Sequence, residues 1–194
     1  MPTYILIAAN IAVYSFTSVL SGDMFTTSLY VIYQWGQYTP FVLEGEVWRL
    51  FTAMFIHANI VHIFGNMFFL LIFGLRAEDL FDVREYFLIY LLSGLAGGLL
   101  SLPLAPNDFS VGASGAIFGV FGACTIYFRR AIGQSIIGAL MYSFVLLMMN
   151  VGPGVNVLAH LGGLVAGLLM GYGLAVSRKP KPTHGYKYTY SYST

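Results

Sequence analysis

Charge is what this sequence has least of. Asp, Glu, Lys and Arg make up 9% of its 194 residues, against 58% hydrophobic residues, and the mean hydropathy is +0.76. Soluble domains carry about a quarter charged residues, so the composition excludes one and specifies a polytopic membrane protein. With a single cysteine, Cys124, no intrachain disulfide can form, and the thiol reads as packing. The N-terminal stretch lacks a basic n-region and a small-residue cleavage site, so its apolar run reads as a retained span rather than a signal peptide. A net charge of +1 argues neither way about nucleic acid, and no basic footprint marks it as a partner. No carboxylate falls inside an apolar run, because Glu78, Asp79, Asp82 and Glu85 cluster between two of them. That excludes aspartyl intramembrane chemistry, which needs two buried carboxylates. The same lack of intramembrane charge, with no half-to-half repeat, argues against a channel or transporter.

What is present is a series of apolar runs. Only a helix satisfies its own backbone in hydrocarbon, and about 17 to 25 residues span it. Six runs fit, at residues 4–20, 55–75, 86–102, 111–128, 135–149 and 155–176, the fifth being the shortest. The expected fold is therefore all-α, a membrane domain of six transmembrane helices over residues 1–176, with a short basic, Tyr-rich tail at 177–194 that is too polar to pack. The long connection 21–54 is dense in aromatics, among them Tyr30, Tyr33, Trp35, Phe41, Trp48 and Phe51, which suits a loop in the membrane interface. A small folded cap standing in water is the alternative. Pro103 and Pro106 punctuate the connection before the fourth run, and Gly152-Pro153-Gly154 forms the turn before the sixth. With six spans, eight of the nine basic residues fall on one face, only Arg49 lying on the other. The excess of Lys and Arg places both termini in the cytoplasm.

A polar side chain inside a span needs a reason. The candidates are His57, His62 and Asn66 in the second run, Ser114 in the fourth and His160 in the sixth. Ser114 and His160 each lie a few residues past the external boundary, roughly 5 to 10 Å deep at 1.5 Å per residue, so they share a level. His62 and Asn66 are four apart and share a helix face. His57, five before His62, points away from that face if the helix already runs there. Gly163, Gly167 and Gly171 recur every four residues, while Gly115, Gly119 and Gly122 stripe the fourth run. Such stripes let membrane helices meet backbone to backbone. Ser114 lies about 100° from its own stripe on an ideal helix, so the two runs bring it to His160 only if it sits at a helix start.

On that condition the chemistry is nucleophilic. A serine hydroxyl is too weak alone, and a neutral imidazole in hydrogen-bond reach takes its proton and returns it to the leaving amine. His62, Asn66 and free N–H groups at the helix start are candidate oxyanion donors. Other readings remain open here. Ser114 after a glycine is also what packing requires, and His160 could be a satisfied structural imidazole. A metal site from His57, His62 and His160 lacks any nearby Cys or carboxylate and any His-Glu-x-x-His run, so no metal and no cofactor is expected.

With Gly112-Ala113-Ser114-Gly115, with Ala159-His160-Leu161-Gly162-Gly163 followed by Gly167, with the His57, His62 and Asn66 ladder and with Trp48-Arg49 in the first connection, the chain resembles the rhomboid intramembrane serine proteases. The resemblance implies Ser114 as nucleophile and His160 as general base and acid. It implies an oxyanion hole of His62, Asn66 and the Ser114 backbone N–H, and a structural role for His57. Trp48 and Arg49 would brace the first loop, Gly163 and Gly167 would hold the sixth span on the fourth, and Phe118 would lie against the imidazole where relatives often carry Tyr. Gly112 would keep the approach to the helix open, and Gly115 would admit the sixth span. The partners implied are transmembrane protein substrates and membrane lipid in a cell membrane, with cleavage near the external face. Inactive relatives that bind membrane clients without cutting them form the other class the resemblance admits. Span five, with its loop as a lid, is a candidate gate.

Overall fold

The computed structural model describes residues 1–104, 107–131, 133, 135–149 and 155–178. Pro106, the turn at 152–154 and the tail from 179 onward lie outside the described residues. In chain order the elements are α1 (Pro2–Ser21), α2 (Leu29–Trp35), β1 (Gln37–Tyr38), α3 (Thr39–Leu43), α4 (Arg49–Thr52), α5 (Ile60–Leu80), α6 (Val83–Leu104), β2 (Phe109–Ser110), α7 (Ser114–Ala131), α8 (Ile136–Met149) and α9 (Val157–Ser177). A 3₁₀ turn, Ala53–Phe55, joins α4 to the segment before α5. The two strands pair antiparallel, Gln37 with Ser110 and Tyr38 with Phe109.

Among the described residues four helices are long and apolar enough to cross a membrane, α1, α5, α6 and α9. The two other expected spans fall short for visible reasons. α8 has 14 described residues, a rise of about 21 Å against about 30 Å of hydrocarbon. α7 has 18, and its last turn holds Arg129 and Arg130. The expected boundaries also shift where local chemistry starts a helix. α5 begins at Ile60 rather than 55, because the Asn59 side chain accepts the His62 N–H (2.8 Å) as a cap. α7 begins at Ser114 because Gly112 has φ +117°, outside any helix. Pro103 lies within the last turn of α6, not in the connection after it. The connection 21–54 is no plain loop, since it folds into three short helices and β1.

α7 is the central helix, packed by α5, α6 and α9. Apolar side chains gain nothing by leaving lipid for one another, so close van der Waals contact must hold such helices together. The glycines supply it. The Cα of Gly163 faces the Gly115 carbonyl, that of Gly167 the Gly119 carbonyl, and that of Gly171 Ala123, each too close to admit a Cβ. Gly119 meets Ser93 of α6 in the same way, and Gly97 meets the Ala159 carbonyl. At the far end, Arg178 donates to the Leu80 carbonyl (2.8 Å) and the Tyr127 hydroxyl (3.1 Å) and pairs with Glu85, tying the end of α9 to α5, α6 and α7. Gly167→Leu is expected to cost about 3 kcal/mol or more by forcing α7 and α9 apart. Gly173→Leu, where a side chain meets open space, should leave stability unchanged; thermal unfolding in detergent compares the two.

Candidate functional site

The segment from β2 into α7 shapes the site. The Gly112 N–H donates to the Ala53 carbonyl (2.9 Å), and the positive φ at Gly112 turns the chain so that α7 starts at Ser114. A Cβ at Gly112 would also sit 2.8 Å from the His62 ring, so this position excludes side chains twice over. The first N–H groups of a helix have no intrahelical acceptor, which leaves the Ser114 amide free to face the cavity.

His160 lies in the first turn of α9. That turn is set by Asn156, whose side chain accepts the Ala159 N–H (3.0 Å) and donates to Ser110 Oγ (2.9 Å). Ser110 and Asn156 each stand four residues before Ser114 and His160, so one hydrogen bond joins the two approaches to the site. The result is a contact of 2.8 Å between His160 Nε2 and Ser114 Oγ. Phe118 stacks on the imidazole with centroids 4.5 Å apart and planes at 21°. His160 Nδ1 is buried with no partner among the described residues, so ring contact and the α9 backbone, rather than a carboxylate, orient it.

On α5, His62 and Asn66 stand one turn apart beside this pair. His62 Nδ1 faces the Ala58 N–H (3.4 Å), which makes it the acceptor and puts the ring proton on Nε2, the nitrogen nearest Gly112. Asn66 is buried; its amide donates one hydrogen to the His62 carbonyl (2.8 Å) and its Oδ1 has no partner among the described residues. His57 would point away only if the helix already ran there, and it does not. Helical phase does not apply before Ile60, and its ring meets that of His62 edge on, with centroids 5.2 Å apart. Its Nδ1 bonds the Phe55 carbonyl (3.2 Å), and its own carbonyl accepts from Thr27 Oγ1 (2.6 Å), so it joins the first connection to the start of α5.

Ser114, His160, His62 and Asn66 all line one cavity of about 630 Å³, with Gly94 and Gly98 of α6 on its far wall. Gln37 also reaches it, fixed by the Gly98 carbonyl and Ser101 Oγ (both 2.9 Å). Arg49 is buried, and its Nη1 donates to the carbonyls of Tyr33 (2.7 Å) and Gly36 (2.9 Å) while its guanidinium lies between Phe41 and Trp48. It is the pin on which the first connection is wound. Three residues escaped the sequence reading: Ser110, Asn156 and Gln37. An asparagine just before an apolar run is an N-cap signal, so Asn156 was findable; the other two depend on pairing between distant strands.

Several apolar helices surround a cavity in which a serine meets an imidazole, the architecture of a multi-pass membrane protein. The Rhomboid domain family matches residues 44–177. The chain is 40% identical over 138 residues to RHOMBOID-like protein 6, mitochondrial, of Arabidopsis thaliana, covering 68% of this chain and 45% of that protein. It is 33% identical over 184 residues to RHOMBOID-like protein 2 of the same plant, covering 90% and 56%. Against YdcA of Bacillus subtilis, whose name assigns it provisionally as a rhomboid protease, it is 34% identical over 146 residues, covering 72% and 73%. The chain thus spans about half the length of these plant relatives. It belongs to the rhomboid family, a family of intramembrane proteases.

Arg49→Leu is expected to strand the Tyr33 and Gly36 carbonyls at about 1–3 kcal/mol each and to loosen residues 33–49. Faster proteolytic nicking within that segment, with α1 and α5 still protected, is the expected readout.

Proposed function

We propose that this chain is an intramembrane serine endopeptidase acting through a Ser114–His160 dyad. The observation that carries the reading is the 2.8 Å contact between His160 Nε2 and Ser114 Oγ across two helices packed through their glycines. As Oγ attacks the scissile carbonyl carbon, Nε2 takes the hydroxyl proton, and the carbonyl π electrons move onto oxygen. That oxyanion receives hydrogen bonds from the Ser114 N–H, from His62 Nε2–H and from the second amide hydrogen of Asn66. His160 then protonates the leaving amine as the C–N bond breaks, and water, with the same imidazole as base, hydrolyses the acyl-enzyme. Phe118 holds the ring in the plane this shuttle needs. No cofactor or metal enters any step.

In the same reading α7 and α8 join the four long helices as spans, residues 1–176 form one membrane domain, and 177–194 is a cytoplasmic tail. Both termini face the cytoplasm, and the connection 21–54 lies in the external interface of the cell membrane. Its outward side supports this placement: Phe25, Leu29, Tyr30, Leu43 and Val47 are all exposed. Substrates are single-span membrane proteins cut near the external face. A peptide bond in an intact helix is hidden by its own hydrogen bonds, so the cut falls where the substrate unwinds. α8 is the gate; a disulfide crosslink between α8 and α5 should block turnover of a helical substrate while sparing a short soluble peptide.

Incubation with a single-span substrate in liposomes tests the reading. Ser114→Ala should lose on the order of 10⁴-fold or more in turnover, and Asn66→Ala about 10²- to 10³-fold in kcat. A fluorophosphonate should label Ser114, and lose that label in His160→Ala. Cleavage that persists in Ser114→Ala contradicts the dyad. Client binding without cleavage by the wild type assigns the chain to the inactive class.

A further inference from the structure

A second hollow lies at the other end of the bundle, on the α5–α8 side where the proposed gate lies, and no step at Ser114 uses it. It is an open groove of about 440 Å³ between α5, α7 and α8. Its floor and walls are apolar, with Phe73 of α5, Phe121 and Phe128 of α7 and Val145 of α8, while Arg76 and Arg129 stand at its edge. The register of α5 on α7 brings the arginines to one level. The Phe73 and Phe121 rings meet at 4.9 Å, and Arg76 Cζ lies 5.0 Å from the Phe128 centroid, next to Arg129. Counted down the helices, residues 62 to 76 and 114 to 129 each rise about 22 Å, so both guanidinium groups lie one leaflet away from the serine.

Charge at this level is one-sided. α7 and α8 carry no carboxylate. Of the two at the end of α5, Glu78 accepts from the Met1 amine and the Thr3 N–H. Asp79 faces the arginines in a 3.3 Å pair with Arg76, the side chains 66% and 48% exposed, a surface pair of little strength. Arg129 has no ion pair among the described residues; it lies over the Tyr142 ring, 5.0 Å from its centroid. Ring stacking holds each guanidinium at the groove, Arg76 on Phe128 and Arg129 on Tyr142.

We infer that this groove binds an anionic diacyl phospholipid of the cytoplasmic leaflet, one acyl chain along the Phe73, Phe121 and Val145 wall and the phosphate between Arg76 and Arg129. An open-sided apolar hollow within a bilayer is filled by an acyl chain. Basic residues at headgroup depth between spanning helices select the anionic lipid, and guanidinium recognises phosphate through paired N–H groups. A zwitterionic lipid brings the same tails, but its choline meets two cations. The inference draws on the membrane placement of the helices, not on chemistry at Ser114, so failure of the proposed protease activity leaves it standing.

Native mass spectrometry of the full chain from detergent, with phosphatidylglycerol or phosphatidylcholine added, tests it. Phosphatidylglycerol should be retained in preference, with affinity falling about fivefold for Arg76→Gln or Arg129→Gln and more than tenfold for both together. Val145→Trp, which fills the groove and leaves both arginines in place, should also abolish retention. Inorganic phosphate should not displace the lipid, since it cannot occupy the apolar wall. Equal retention of the two lipids, wild-type retention in the double variant or in Val145→Trp, or displacement by inorganic phosphate would each overturn the inference.

Discussion

Everything at the site depends on how near α7 and α9 can come. The two helices meet backbone to backbone, Gly163 on the Gly115 carbonyl and Gly167 on the Gly119 carbonyl. A membrane gives no hydrophobic reward for pairing helices, so contact area gained by removing side chains must supply the attraction. The same closeness sets chemistry. An imidazole one turn into α9 reaches a serine at the head of α7 only across such a seam, and the 2.8 Å contact between them follows from it. The glycines that hold the two helices together therefore also set the serine–imidazole contact.

Around the seam, the site is held by short polar ties rather than by a charged network. Asn156 caps α9 and reaches Ser110; Asn59 caps α5; Arg49 pins the first connection through two carbonyls. Each satisfies an N–H or carbonyl that would otherwise go unpaired inside the bundle, Arg49 as a buried group and the two asparagines as half-buried ones. Among the described residues no carboxylate backs the imidazole. Phe118 supplies orientation by stacking, which adds no charge to a site that contains none. Four glycines, two asparagines and one arginine thus do the positioning that loops and a buried acid do in a soluble hydrolase.

Much of this was legible in the sequence, for identifiable reasons. The glycine stripes are periodic, and periodicity survives into structure as contact: Gly163, Gly167 and Gly171 all touch α7. Shared depth of Ser114 and His160 follows from counting residues along apolar runs. The requirement that Ser114 start a helix was stated from geometry and is met through Gly112. Four of the six expected spans are long apolar helices among the described residues; of the other two, α7 matches its run in length but ends in Arg129 and Arg130, and α8 has 14 described residues. Helix starts shifted where a single side chain decides them, as Asn59 does. His57 was set apart on the condition that the helix already ran at its position; the helix starts at Ile60, so the condition is not met and helical phase says nothing about it. The β1 and β2 pairing joins residues more than seventy apart, and with it went Gln37 and Ser110, which no local pattern marks.

The central claim is that the backbone seam between α7 and α9 creates the reactive pair. Its most direct test is the rate at which a fluorophosphonate labels Ser114 in Gly163→Ala, compared with the wild type under conditions where unfolding assays find both folded. One methyl group there meets the Gly115 backbone and must move α9, and a displacement of about 1 Å costs on the order of 10²-fold in reactivity. The account predicts labelling slowed by that factor in a folded protein. Labelling at the wild-type rate would contradict it, because the serine and the imidazole would then find each other without the seam.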